Sequence, residues 1–234
     1  MDKYQIIAII AVIALLMLII VMTSKTRIYK TYEKYLRVDN KANITGKQLA
    51  FISKQNLGLN NLEFALTDVK LGDAYSPKYH TLILSKDVCD TASLSSLTIV
   101  AHELGHAMQH KNNTPLFYVS QMFTKITRFT NFFIMPLFII GLLLFITKYP
   151  SDDIGGTLMI ISGILFGFHF LNLLLNIPLE LDASNRALKY LKEYNYVSTS
   201  EYHKARKLLR VASQTYMASL LDGLFYFNKK RKKK

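Results

Sequence analysis

Polar and apolar residues segregate into long blocks along this chain. Residues 6–22 are all apolar, and 129–147 and 154–179 carry no charge. Seventeen apolar residues in a helix reach ~25 Å, and Tyr4, Gln5, Thr23 and Ser24 extend that to a bilayer span. No small-x-small cleavage site follows 6–22, and the stretch is long for a signal core, so an uncleaved anchor is expected. Pro136 and Gly141 in the second block are tolerated in a membrane helix. Gly155, Gly156, Ser162, Gly163 and Gly167 in the third allow close helix contact. Residues 148–153 form a tight connection, so these two blocks read as a helical hairpin.

Lysine and arginine sit asymmetrically about the blocks. Lys25, Arg27, Lys30, Lys34 and Arg37 follow the first, Lys125 and Arg128 precede the second, and Arg186, Lys189 and Lys192 follow the third. The other side has Lys3 and Lys148, with Asp2, Asp152 and Asp153. This bias puts 23–128 and the chain after 180 in the cytoplasm. A fourth stretch, 211–227, contains Ser213, Gln214, Ser219 and Asp222. Its apolar residues recur at helical spacing. It is expected to pack on the soluble part or lie at the interface, because a crossing would export the basic tail at 229–234. The expected organisation is an anchor at 1–24, a cytoplasmic region at 25–128, the membrane hairpin at 129–179, later helices at 180–228, and the tail.

Within the cytoplasmic region, 32–38 and 46–56 have helical spacing, and Thr45 is a candidate N-cap for the second. Residues 62–69 and 81–85 read as short strands, with Pro77 in the turn before the latter. Capping hydroxyls at 91–96 precede a helix over 97–110, ended by Asn112, Asn113, Thr114 and Pro115. The fold class is a mainly α membrane protein with a small sheet.

That helix carries His102-Glu103-Leu104-Gly105-His106, an H-E-x-x-H pattern. Residues i and i+4 share a helix face, so His102 and His106 can aim imidazoles at one Zn²⁺. Glu103 beside them can act as general base on a water activated by the metal. Gly105 removes a side chain between the histidines, where substrate or a neighbouring helix can approach. The plain alternative is an amphipathic helix with solvated His and Glu. The apolar run 97–101 before the motif argues against it.

A catalytic zinc needs a third protein ligand. A metzincin would carry it as a histidine six residues after His106, where Asn112 stands. His110 on the same helix would crowd one face, and is expected to support the ligands or lie at the surface. Glu180 follows the third block directly, in a helix expected to start after Pro178. Two crossings between His106 and Glu180 return the chain to the same side. Glu180 is the expected ligand, with Asp182 as fallback.

Charge and cysteine content narrow the remaining classes. The net charge is +13, of which the tail at 229–234 supplies six units. The tail would lie against anionic headgroups or simply be solvated. No nucleic-acid face is evident beyond it. Cys89 is the only cysteine, which excludes a disulfide scaffold, and it is expected to be a small buried side chain rather than a nucleophile. His169, Asn172 and Asn176 in the third block are expected to bond neighbouring helices. Arg186, Tyr216 and His80 are candidates for stabilising an oxyanion.

These residues resemble the YugP-like neutral zinc metallopeptidases of bacterial membranes and, more distantly, the HtpX-type membrane gluzincins. The likeness runs through Ala74-Tyr75-Ser76-Pro77, Thr81-Leu82-Ile83-Leu84-Ser85, the segment from Ser93 to His110, the hairpin, and Glu180-Leu181-Asp182-Ala183-Ser184. It implies zinc ligands His102, His106 and Glu180, with Glu103 as catalytic acid/base, in a membrane zinc endopeptidase acting on peptides or proteins. It further suggests an edge strand at 81–85 able to pair with an extended substrate, the alternative being an interior strand of the small sheet. Two positions depart from the pattern. Ser184 stands where HtpX-type enzymes have an Asp that orients a ligand histidine, and Ser76 stands where an Asp is usual before the Pro. The departure at Ser184 keeps a rival open, a non-catalytic membrane scaffold with a structural or empty zinc site.

Overall fold

The computed structural model describes residues 23, 26–148 and 152–224, with the side chains of 152 and 214–224 left aside. The expected anchor at 6–22 and the tail at 229–234 lie outside the described residues. The chain divides into two compact units, one containing Val119–Asn176 and the other Ser24–Tyr118 with Ile177–Thr215.

The second unit begins with helix α1, which covers 26–36 and so starts earlier than the 32–38 expected. Helix α2 spans Gly46–Asn56, and Thr45 caps it in a reciprocal box: the Thr45 hydroxyl accepts from the Gln48 N–H while the Gln48 side chain accepts from the Thr45 N–H. Strands β1 (Glu63–Thr67), β2 (Ala74–Ser76) and β3 (Thr81–Ser85) follow. The sheet order is β1-β3-β2, with β1 parallel and β2 antiparallel to β3. Thr81–Ser85 is therefore the central strand and not an edge, which overturns the expectation that it offers a free edge to substrate. Its alternating pattern fits that position, since Leu82 and Leu84 are buried.

A short helix, α3 (Lys86–Asp90), leads to α4 (Leu94–Lys111), capped by the Ser93 hydroxyl accepting from the Ser96 N–H. The core gathers Tyr32 of α1, Leu49 of α2, Leu82 of β3, Leu97 and Leu104 of α4, and Leu191 and Leu208 from later helices. Cys89 is buried there, and burial pushes its thiol up. That fits the expected inert side chain.

Helix α5 (Pro115–Thr147) begins well before the apolar block it contains, and α6 (Asp152–Glu193) runs straight through Pro178. The expected new start after Pro178 does not occur. Proline lacks one N–H, which membrane helices tolerate where neighbouring groups compensate, and α6 continues past it. Helix α7 (Thr199–Leu224) closes the described chain. Ser198 caps it, its N–H and hydroxyl both donating to the Glu201 carboxylate.

In the first unit, α5 and α6 meet at Gly141 and Gly155: a Cβ on either would run into the other helix's backbone. Ser162 also joins the contact, donating to the Ile134 carbonyl. Gly156, Gly163 and Gly167 face open space, so they do not serve the contact expected of them. Asn172 and Asn176 bond across to α5 as expected: Ser120 donates to Asn176 at 2.6 Å, and Asn172 donates to Thr127 at 3.2 Å. The outward residues are large and apolar, Phe132 being 76% and Ile160 65% exposed. Among the described residues, two helices are long and apolar enough to cross a membrane, α5 and α6.

Candidate metal centre

Helix α4 presents His102 and His106 one turn apart, their rings edge to face with centroids 4.9 Å apart. Helix α6 brings Glu180 to them. The His102 Nε2 lies 3.2 Å from Glu180 Oε2, and His106 Nε2 lies 3.6 Å from Oε1. One donor atom from each of the three falls within 4.8 Å of the others, a spacing that could hold a metal ion. Asp182, the fallback, is not in this group. Its carboxylate accepts from Gln109 and from Arg186.

The close approach of the two helices depends on Gly105, where a Cβ would strike the carbonyl of Ala183 on α6. The gap left by glycine is thus filled by the neighbouring helix. Three polar contacts complete the seam. Gln109, fully buried, donates from Nε2 to the Leu179 carbonyl and to Asp182 Oδ2, both at 2.8 Å. With both hydrogens of that amide used, Oε1 is left as the acceptor, 3.0 Å from His106 Nδ1. The His106 proton therefore sits on Nδ1 in the neutral ring, and Nε2 keeps the lone pair that faces Glu180. Ser184 Oγ lies 3.3 Å from His102 Nδ1 and contacts that ring from behind, as donor or acceptor according to the tautomer.

Electrostatics in the centre are dominated by this carboxylate–imidazole contact. Burial works against a charged Glu180, but its bonds to His102 and His106 outweigh that and hold the carboxyl well below its usual range. Burial also opposes a charged His106, yet Glu180 and Glu103 lift it to about 9. Burial raises the Glu103 carboxyl. Glu103 Oε2 accepts the Tyr75 N–H of strand β2 at 2.8 Å, which ties the sheet to the helix.

His110 stands apart from the centre. Its Nδ1 is 2.8 Å from the Tyr75 hydroxyl, and its ring stacks on His80 and Phe117. His80 is engaged in that stack, and Arg186 is held by Asp182. The Tyr216 side chain lies outside the described residues. A cavity of 460 Å³ adjoins Tyr75, lined by His80, His110, Lys111 and Tyr118 among others.

Sequence reading did not single out Gln109 or the Tyr75 amide. Gln109 follows His106 by three residues on one helix face, a spacing that signals a supporting contact. No local pattern marks the Tyr75 amide, which depends on where the sheet docks.

The donor set, two imidazoles and a carboxylate with each ring oriented from behind, suits a borderline divalent cation such as zinc. Residues 9–229 match the family described as "Putative neutral zinc metallopeptidase", and the chain belongs to that family. It is 27% identical over 199 residues to the "Putative membrane protease YugP" of Bacillus subtilis (strain 168), covering 85% of this chain and 84% of that protein. No solved structure matches it.

Replacing Gln109 with Ala removes the acceptor that fixes the His106 tautomer while leaving all three donors in place. Divalent-metal affinity is expected to fall about 10- to 100-fold, read by competition with a chromogenic chelator on folded protein. Unchanged affinity would deny Gln109 this role.

Proposed function

We propose that this protein is a membrane-embedded, zinc-dependent endopeptidase of the gluzincin type. The observation that carries the reading is the convergence of His102, His106 and Glu180 donor atoms within 4.8 Å, with Glu103 on the same helix. His102, His106 and Glu180 would hold the zinc. A bound zinc would supply Lewis-acid polarisation of a peptide carbonyl and acidification of a water molecule.

Glu103 carries the proton. Its Oε2 is held by the Tyr75 N–H, so Oε1 is the oxygen that takes a proton from the attacking water and returns it to the leaving amine. Ser184 and Gln109 keep both ligand rings in register during that exchange. The cavity lined by Tyr75, whose N–H holds Glu103, offers a place for a substrate side chain. The substrate is a peptide or protein segment reaching the membrane surface.

The Lys/Arg bias supports a multi-pass arrangement with the centre on the cytoplasmic side. A reporter fused after Lys234 should be protected from external labelling in intact cells, and labelling from outside would contradict the arrangement.

Glu103→Gln keeps the shape and the Tyr75 bond but cannot accept the proton. Hydrolysis of a quenched fluorescent unfolded protein should fall by at least ~10²-fold, with zinc content unchanged. Full hydrolysis by the variant would refute the role of Glu103, and zinc binding without hydrolysis by the parent protein would favour the scaffold reading.

A further inference from the structure

A second concavity, of 660 Å³, lies between α1 and α7, away from the metal ligands in the chain and sharing no residue with the centre. Arg27 on α1 and Arg206, Lys207 and Arg210 on α7 line it, together with Thr31 and His203. The positions explain why they converge. Tyr32 and Tyr35 of α1 and Ala205, Leu208 and Leu209 of α7 are buried in the core, so residues 27 and 31 and residues 203, 206, 207 and 210 fall on the outward faces.

Two packed helices ordinarily offset each other's charge across a shared groove. Here both faces are basic, and the cavity lining holds no carboxylate. The acidic side chains nearest in sequence are committed elsewhere: Glu33 pairs with Lys70 at 2.6 Å, and Glu201 accepts from Ser198 and the Lys41 N–H. None of the four cations forms an ion pair among the described residues. Like charges at i and i+4, as at Arg206 and Arg210, repel each other on a helix. A multivalent anion in the groove removes that repulsion.

The place of the groove in the sequence narrows the ligand. Arg27 comes five residues after the apolar stretch 6–22, and Arg210 adjoins the amphipathic stretch 211–227. Both helices therefore turn basic where the chain turns apolar, which is the depth of anionic headgroups on the topology proposed above. Arginine's planar fork suits phosphate oxygens, two at a time.

We propose that this groove is a phosphate-binding site that takes the headgroup of an anionic phospholipid. The site is independent of the zinc chemistry and survives or fails apart from it.

The test uses full-length protein in detergent micelles, titrated with phosphatidylglycerol or phosphatidylcholine and read by native mass spectrometry. The parent protein should retain phosphatidylglycerol in preference to phosphatidylcholine. Arg206→Gln with Arg210→Gln should weaken that retention roughly thirty-fold, from ~1 kcal/mol per basic residue. Lys41→Gln with Lys47→Gln removes the same charge from exposed sites elsewhere and should change it little. Metal content and melting temperature, equal in all three proteins, establish that each is folded. Sodium phosphate separates the sources: failure to displace the lipid at millimolar concentration assigns the site to lipid, while displacement with the same arginine dependence assigns it to soluble phosphate. Equal lipid retention in the parent and the arginine variant, or an equal loss in the lysine control, would overturn the proposal.

Discussion

The contact between Gly105 and the Ala183 backbone sets the distance at which α4 and α6 pass each other, and the metal centre depends on that distance. Two donors come from one helix and the third from the other, more than seventy positions on. A Cβ at Gly105 would run into the Ala183 carbonyl oxygen, so the helices would have to part, and imidazole and carboxylate ligands that bind zinc at ~2 Å tolerate little such movement. Interiors are close-packed and do not absorb such a change without strain. The glycine between the histidines is thus part of the machinery, although it touches neither metal nor substrate.

Around that crossing the polar groups form one connected chain. Arg186 holds Asp182, Asp182 and the Leu179 carbonyl fix the Gln109 amide, and Gln109 fixes the His106 tautomer. Ser184 contacts the His102 ring at Nδ1. A buried polar network has value only when each member is satisfied, and here every hydrogen of the Gln109 amide is placed. At the departure, Ser184, the hydroxyl still reaches a ring nitrogen of His102. Glu103 is positioned from the other direction, by the backbone of a strand. Helix, sheet and second helix each contribute one constraint to the same small volume.

Local signals were legible in the sequence, and long-range ones were not. The Thr45 capping box, the bounds of Thr81–Ser85 and the H-E-x-x-H face all rest on contacts within a few residues, and periodicity or spacing exposes them. Glu180 is the exception: it directly follows an uncharged apolar block, and an even number of crossings before it would return it to the side of His106. Strand β2 has only three residues, all of intermediate burial, so no alternation marked it. The central place of β3 depends on pairing with strands before it in the chain, which no local pattern encodes. Pro178 argued for a helix end, but the flanking turns of α6 override that local preference. Gln109 looked unremarkable until α6 supplied partners seventy residues away.

The central claim is that His102, His106 and Glu180 form one zinc site shared between two helices. Zinc content per chain, measured by mass spectrometry on detergent-purified protein and on its Glu180→Ala variant, tests this most directly. The account predicts about one zinc per parent chain, as three protein ligands with an open position hold a single ion, and its loss in the variant. Folded parent protein without zinc, or a variant that keeps its full complement, would contradict it.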